Sequence, residues 1–415
     1  MAAFQPSRRQ ALKIFGAGAM AMSAPAWAQT PPPPLLMDGH VHAINRVYWE
    51  KADLWQDVPD VGWDFKRARA AGVNCVIDNL GTYGYWNYNY TPKQALRLLE
   101  TANRYAEQHA DKMAIATSTA QARSIVASGR MAVFLGSESG WDHEGDLDVL
   151  GALFRLGLRT IQFATQSGYN AFSDSALAMS QGGQNPDHYH GINDRGRALV
   201  AEMNRLGILI DLTHGTEAVH KQLIEVSKAP VVASHETIRA VSGVGLSDDV
   251  VKGIAAKGGL VGIHGNAAVV SKRFRQWMAD HKEQVAEAAG SLPNMLGYRP
   301  SFPHPPGDHG EYIERFDREF RETWLARAKW KEIPELVPLI PTADEWAEHV
   351  DYVIKLVGAD HVAIGLDMAG ARSSVPKNAA GYGEIVAALN RITTPANVKK
   401  ITGENWFRVL DAAKV

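Results

Sequence analysis

Short runs of aliphatic and β-branched residues recur along the chain, separated by longer segments in which apolar residues follow a helical spacing. Such runs are typical of buried parallel strands, and strands that alternate with helices indicate an α/β fold. Eight such strands predict a (β/α)8 barrel, a TIM-type fold. A doubly wound open sheet is the alternative, but no glycine fingerprint follows the first strand. The predicted strands are Leu35–Asp38, Val73–Asp78, Met131–Leu135, Thr160–Phe163, Ile208–Leu212, Val231–Ala233, Leu260–Ile263 and Val362–Leu366.

Residues 1–28 precede this pattern and resemble a twin-arginine export signal. Residues 7–13 read SRRQALK, and a short apolar stretch then ends in Ala-Trp-Ala at residues 26–28. The stretch is too short to anchor the protein in a membrane. We therefore expect a periplasmic or secreted protein with no membrane span in its mature form, in which a proline-rich spacer, residues 29–34, follows the cleavage site. An amphipathic helix of the fold is the alternative for the first 28 residues.

The remaining residues, 35–415, are predicted to form a single barrel domain with an insertion between strands seven and eight. Roughly a hundred residues separate these two strands, far more than one crossover requires. The inserted residues, 270–340, include segments of helical character near Ser271–Ala289 and Glu311–Lys331. Two interpretations remain open, a lid or homodimerisation segment at the mouth of the barrel and a peripheral decoration.

Charge and cysteine content exclude some functions. Lysine and arginine total 43 against 45 acidic residues, a formal net charge of −2, so the chain offers no basic field for nucleic acid. Cys75 is the only cysteine, which rules out an intramolecular disulfide even in an oxidising compartment.

Metal-binding residue types follow several predicted strands, on the side where a barrel of this kind carries its active site. His40 and His42 alternate along an extended segment and can reach one ion together. His214 and His235 are one αβ unit apart, which places them on adjacent strand ends. Four histidines are too many for one catalytic zinc that must keep a water molecule, so we expect two divalent metal ions, with zinc favoured. The strand-end set is His40, His42, Glu138, His214, His235 and Asp367.

The two carboxylates receive different roles in this interpretation. Each ion takes one pair of histidines, and Glu138 bridges the ions. A hydroxide that bridges the metals is then the nucleophile. Asp367 accepts a proton from the attacking water and passes it to a leaving amine. Helix capping is the alternative role for both Glu138 and Asp367.

These residues and their order resemble the renal (membrane) dipeptidase family, which belongs to the amidohydrolase superfamily. The resemblance covers most of the chain after the signal, and its most specific stretch is the one that ends at His214. It implies a (β/α)8 zinc hydrolase of dipeptides, with Glu138 bridging the metals and Asp367 near the scissile bond. The matching motifs are DGHVH, GSESG, GINDRGRALVAEMNRLGILIDLTH, PVVASH, GLSDDVVKGIAAKGGLVGI, HVAIGLD and ITGENWFRVL.

The chain departs from the family pattern at the metal site and in substrate recognition. His42 stands where the family usually has aspartate, which raises the net charge of the first metal site by one unit. The family's basic residue before the SDD segment is missing, and Arg239 is the nearest candidate to bind a substrate carboxylate. Tyr169, after strand four, and His264, after strand seven, are further candidates to line the pocket.

Other functions remain open beside cleavage of a dipeptide amide bond. The same fold and metal centre could act on an N-acyl amino acid, a lactam or a lactone. A non-catalytic periplasmic binding protein is an alternative of a different class. The complete ligand set argues against it, since a degenerate relative is expected to have lost at least one of these residues.

Overall fold

Parallel strands alternate with helices along the chain, as the sequence pattern predicts. The computed structural model describes residues 33–58, 62–82, 91–138, 143–164, 170–176, 188–289, 309–326, 332–368 and 373–415.

The strands are β1 (Met37–Val41), β2 (Cys75–Leu80), β3 (Met113–Ile115), β4 (Met131–Ser137), β5 (Leu158–Gln162), β6 (Leu209–Asp211), β7 (Val231–Glu236), β8 (Leu260–Ile263) and β9 (Val362–Ile364). The helices of the first half of the chain are α1 (Ala43–Glu50), α2 (Phe65–Ala70), α3 (Thr91–Gln108), α4 (Thr119–Ala127), α5 (Leu147–Arg155) and α6 (Asp194–Leu206). Those of the second half are α7 (Glu217–Val226), α8 (Arg239–Ser242), α9 (Asp248–Ala256), α10 (Ala267–Val270), α11 (Lys272–Asp280), α12 (Lys282–Ala289), α13 (His309–Ala326), α14 (Ala343–Val357), α15 (Tyr382–Ile392), α16 (Pro395–Lys399) and α17 (Asn405–Ala412).

The strands form a nearly closed parallel barrel in the order β1-β2-β4-β5-β6-β7-β8-β9. Hydrogen bonds also connect the two ends of this order. The backbone N–H of Asp367, just after β9, donates to the carbonyl oxygen of His40 in β1 at 3.1 Å. The N–H of Leu366 donates to the Asp38 carboxylate, also at 3.1 Å. The predicted (β/α)8 fold is confirmed.

A ninth strand, β3, lies outside the barrel order and was not predicted. It pairs with Met131–Val133 of β4, and β2 pairs with Ala132 and Val133 from the opposite edge. β3 therefore lies along the same edge of β4 that pairs with β5 from Leu135 onward. β3 has only three residues, and two of them are half-buried. An apolar run this short does not stand out from the apolar residues of neighbouring helices, which explains why the pattern missed it.

Four strands extend further at their carboxyl ends than the sequence pattern indicates, and in β1 and β7 the extension changes the position of a site residue. β1 runs to Val41 instead of ending at Asp38, and β7 runs to Glu236 instead of Ala233. His40 and His235 therefore lie inside strands instead of on the loops that follow them. Their backbone atoms belong to the barrel itself, which fixes the direction of both side chains.

A tryptophan from the C-terminal helix packs directly beneath His40. Trp406 is fully buried, and its Nε1 donates to the carbonyl oxygen of Ile364 at 2.9 Å. A Cβ atom at Gly39 would lie 1.9 Å from a carbon of the Trp406 ring, so only glycine fits at this position.

The insertion is anchored to the first helix of the barrel. Within α13, Trp324 donates to the Glu50 carboxylate at 3.0 Å, and Arg321 donates to the carbonyl oxygen of Trp49 at 2.7 Å. The helix expected near Ser271–Ala289 is two helices, α11 and α12, which meet at His281. The lid or dimerisation role of the insertion remains a prediction. Among the described residues, no helix combines the length and the apolar character needed to cross a membrane.

Candidate metal centre

Histidines and carboxylates from six of the barrel strands meet at the carboxyl-end face. His40 lies in β1, and His42 directly follows this strand. Glu138 directly follows β4. The segment after β6 supplies His214, and β7 supplies His235. The set includes all the residues that the sequence predicts as metal ligands: His40, His42, Glu138, His214 and His235, with Asp367 after β9 and His264 after β8 beside them.

The two oxygens of the Glu138 carboxylate face different pairs of histidines. Oε2 lies 2.8 Å from Nε2 of His42 and 3.9 Å from Nε2 of His40. Oε1 lies 3.2 Å from Nε2 of His214 and 3.7 Å from Nε2 of His235. Glu138 thus stands between the pairs, in the position that a carboxylate shared by two cations requires.

The Nε2 atoms are close together within each pair. They are 3.1 Å apart in His40 and His42, and 3.2 Å apart in His214 and His235. Two buried imidazole nitrogens at such a distance are better suited to bind one cation together than to form a hydrogen bond with each other. Two overlapping groups hold ligand atoms within 4.8 Å of one another: His40, His42 and Asp367, and His40, Glu138 and His235. The donor set therefore fits divalent metal ions.

His42 is oriented by a backbone group. Its Nδ1 lies 2.6 Å from the carbonyl oxygen of Asn79 at the end of β2. A carbonyl only accepts, so Nδ1 carries the proton and Nε2 keeps its lone pair for a metal when the ring is neutral. This tautomer is fixed by a backbone carbonyl and not by a side chain. No residue type in the sequence therefore indicates it.

The electrostatics of the buried site match metal-binding protonation states at two key positions. Burial alone raises the pKa of Glu138, but the charge of His42 and a hydrogen bond from His214 hold it well below its usual range. Burial and the neighbouring His40 and His214 rings keep the pKa of His235 well below its ordinary value. For His42, burial lowers the pKa, but the Glu138 and Asp367 carboxylates raise it well above its ordinary value. An ionised carboxylate and a neutral imidazole are the forms that bind a metal, and a proton must leave His42 when one binds.

The accessible side of the site is formed by Asp367, His214 and His264. Their side chains are 19%, 16% and 12% exposed, whereas His40 is fully buried. Oδ1 of Asp367 lies 3.2 Å from Nε2 of His42, and Oδ2 lies 3.5 Å from Nε2 of His264. His214 and Asp367 adopt left-handed backbone angles, with φ of 68° and 49°. Such angles in residues other than glycine often mark functional positions.

The predicted substrate-binding residues have three different outcomes. His264 lies beside Asp367, in the metal centre. Arg239 is half exposed in α8, where it pairs with Glu217 at 3.0 Å and donates to the carbonyl oxygen of Gly245 at 3.1 Å. Its role toward a substrate carboxylate remains a prediction. Tyr169 lies outside the described residues.

Two buried polar residues next to the metal centre were missed by the sequence analysis. Ser234 in β7 has its Oγ 2.8 Å from Nδ1 of His40 and 2.9 Å from Nδ1 of His235. The Asp211 carboxylate in β6 accepts a hydrogen bond from Ser234. The available signal was a polar residue inside an otherwise apolar strand, which seldom occurs without a partner.

A (β/α)8 barrel that gathers this donor set at the carboxyl ends of its strands defines a metal-dependent hydrolase. The family profile described as Membrane dipeptidase (Peptidase family M19) matches residues 34–415. The chain therefore belongs to the membrane dipeptidase family and is a metallo-dipeptidase-like hydrolase.

Several relatives are similar to this chain in sequence or in fold. Dipeptidase tcpJ of Claviceps purpurea (strain 20.1) is 25% identical over 391 residues, which cover 90% of this chain and 76% of that protein. The probable dipeptidase PvdM from Pseudomonas aeruginosa has a similar fold, with a TM-score of 0.68 and 20% identity, covering 92% of this chain and 96% of that one. A metallo peptidase from Rhodobacter sphaeroides, liganded with a phosphinate mimic of the dipeptide L-Ala-D-Ala, has a TM-score of 0.65 and 20% identity, covering 92% of this chain and 99% of that one.

Proposed function

We propose that this protein hydrolyses dipeptides with two divalent metal ions, zinc in the native enzyme. The observation that carries the proposal is the position of Glu138. Its two oxygens face separate histidine pairs, so one buried carboxylate can serve two cations at once. A single ion would leave one of these pairs without a function.

The residues that would hold the ions follow from this geometry. His40 and His42 would hold the first ion, His214 and His235 the second, and Glu138 both. When bound, the ions supply Lewis acidity, which activates the attacking water and polarises the amide carbonyl. The single negative charge of Glu138 offsets part of the repulsion between two cations held close together.

Asp367 would accept the proton of the attacking water and donate it to the nitrogen of the leaving amine. Among the described carboxylates of the site, it is the one on the accessible side, where a substrate has to enter. Its oxygens face His42 and His264, so the carboxylate is held in one orientation. Because Asp367 also lies within reach of the first pair of histidines, a ligand role is the alternative. The two roles predict different metal contents for an asparagine variant.

The expected substrates are free dipeptides, including those with a D-residue at the C-terminal position. Membership of the membrane dipeptidase family supports the first part of this proposal. The L-Ala-D-Ala mimic bound by the Rhodobacter sphaeroides protein, which has the same fold, supports the second. Arg239 pairs with Glu217, so a substrate carboxylate that binds Arg239 would have to compete with this ion pair.

A substrate screen of metal-loaded enzyme tests this proposal directly. The panel is L-Ala-L-Ala, L-Ala-D-Ala, N-acetyl-L-Ala-D-Ala, an N-acyl amino acid and a lactone, and Glu138→Gln protein measures the background. We expect the highest kcat/KM for a free dipeptide. Faster turnover of the N-acyl amino acid or the lactone would favour the broader amidohydrolase function. Loaded protein that turns over none of them would favour a binding protein.

We also propose that the protein is exported in folded form through its twin-arginine signal and is periplasmic or secreted. The support is the sequence of residues 1–28 alone. Export after folding would allow the metals to be loaded in the cytoplasm.

A further inference from the structure

Two histidines of the metal centre and one neighbouring carboxylate converge on a single buried hydroxyl. Ser234 is 4% exposed and lies in β7, directly before His235. Its Oγ is hydrogen-bonded to Nδ1 of His40 at 2.8 Å, to Nδ1 of His235 at 2.9 Å, and to the Asp211 carboxylate. The two histidines belong to different pairs of the metal centre.

The hydrogen bonds of Asp211 decide which way the hydroxyl points. Oδ1 of Asp211 accepts the backbone N–H groups of Thr213 and Ser234, each at 3.0 Å, and the Thr213 hydroxyl at 2.8 Å. Oδ1 is thus occupied by three donors, and the second carboxylate oxygen, Oδ2, is the one that faces the Ser234 hydroxyl as an acceptor. The one proton of the Ser234 hydroxyl therefore goes to Oδ2 of Asp211.

The remaining contacts of Ser234 then have a single solution. A serine oxygen has two lone pairs, and once its proton is committed to Asp211 it can only accept from the two rings. Nδ1 of His40 and Nδ1 of His235 must both donate. Each neutral ring consequently presents the Nε2 lone pair, and these Nε2 atoms face Oε2 and Oε1 of Glu138 at 3.9 and 3.7 Å.

We infer that Ser234 is a positioning residue that fixes the tautomer and direction of one histidine in each half of the metal centre. The part of this inference that assigns each histidine to its own ion rests on the proposed function. A ligating histidine commonly donates its second nitrogen to a partner of its own, and loss of such a partner weakens metal binding. Here one hydroxyl serves two ligands, so a single substitution acts on both halves.

The chain provides an internal reference and a matched control. His42 takes its tautomer from the Asn79 carbonyl instead of from Ser234, so its tautomer should not change with the substitution. Ser227 is equally buried, at 1% exposure, and its hydroxyl donates to the carbonyl oxygen of Ala229 at 2.8 Å. It lies before β7, at the opposite end of the strand from the metal centre.

The experiment compares Ser234→Ala with Ser227→Ala in full-length mature protein. Nitrogen-15 NMR of histidine-labelled, metal-free protein at alkaline pH reports which ring nitrogen carries the proton. Chelator competition with zinc gives the affinity of each ion. For Ser234→Ala we expect mixed tautomers at His40 and His235, an unchanged tautomer at His42, and a loss of about 10- to 100-fold in the affinity for each ion bound. For Ser227→Ala we expect wild-type values.

Unchanged tautomers at His40 and His235 in Ser234→Ala, or an affinity loss confined to one of two ions, would overturn the inference. If wild-type protein binds a single ion, the two-ion function fails, but the tautomer comparison in metal-free protein still decides the role of Ser234. Asp211→Asn is the second variant should Ser234→Ala not fold. This variant keeps the Ser234 hydroxyl, but residue 211 no longer requires the hydroxyl to donate its proton. Mixed tautomers at His40 and His235 would support the inference, and wild-type tautomers would contradict it.

Discussion

Replacing Asp367 with asparagine separates proton transfer from metal binding. The substitution keeps the shape of the side chain but removes its ability to take up a proton. Oδ1 of Asp367 lies 3.2 Å from Nε2 of His42, and Oδ2 lies 3.5 Å from Nε2 of His264. An amide can occupy the same space, so we expect the variant to fold and to keep the rest of the site intact.

The two roles of Asp367 lead to effects of different size on different observables. A positioned acid or base typically contributes about 10²–10⁴-fold in rate, which corresponds to about 3–5 kcal/mol of the activation barrier. If Asp367 instead binds the first ion, its loss removes a unit charge from the centre. A unit charge and a divalent cation about 4 Å apart at an effective dielectric constant of 20 interact by ~8 kcal/mol, so metal affinity would fall by several orders of magnitude. We expect the first effect, with metal content unchanged.

The assay is single-turnover hydrolysis of L-Ala-D-Ala with enzyme in excess, together with elemental analysis of the same preparation. Glu138→Gln is the comparison, because it removes the charge that faces both histidine pairs and should lose at least one ion. A rate loss below tenfold in Asp367→Asn would refute the proton-transfer role. Metal loss comparable to that of Glu138→Gln would identify Asp367 as a ligand.

Three further predictions concern export, acid stability and the unusual ligand. Changing Arg8 and Arg9 to lysine should leave precursor in the cytoplasm, and mature protein in the periplasm, detected by fractionation and immunoblotting, would show that the signal is of another type. His349 is buried, and burial lowers its pKa from 6.5 to about 4, so its contribution to stability is present above pH 6.5 and is lost as the pH falls toward 4. The loss in the free energy of unfolding is about 3 kcal/mol. Urea unfolding of metal-free protein should therefore show a smaller loss of stability at acid pH for His349→Gln than for the wild type, and an equal pH dependence in both proteins would contradict this. His42→Asp restores an anionic ligand and should tighten binding of the first ion in chelator competition, and weaker binding would show that the Asn79 contact of His42 matters more than its charge.

The fold could be predicted from the sequence, and so could the meeting of the candidate metal ligands on one face, because both depend on local sequence patterns. Each barrel strand is a short apolar run, and the ligands follow such runs within a few residues. His214, for example, comes three residues after the end of β6. The parallel arrangement then places all strand ends on one face. The meeting of these residues can therefore be predicted without knowing which strands pair with each other.

The orientation of the ligands could not be predicted because it depends on contacts between distant parts of the chain. The hydrogen bond between Ser234 and His40 spans 194 positions, and the one between Asn79 and His42 involves a backbone carbonyl that has no sequence signature. The same reason applies to Arg239, whose partner Glu217 lies 22 positions away in another helix. Sequence patterns therefore gave the donor set but not the tautomers or the ion pairs that surround it.

Metal stoichiometry tests the central claim, a two-ion centre shared through Glu138, most directly. Elemental analysis of purified mature protein, combined with native mass spectrometry, should show close to two equivalents of divalent metal in the wild type. Replacement of His214 or His235 by alanine should lower that number toward one. A single tight equivalent in the wild type that neither replacement changes would contradict the claim.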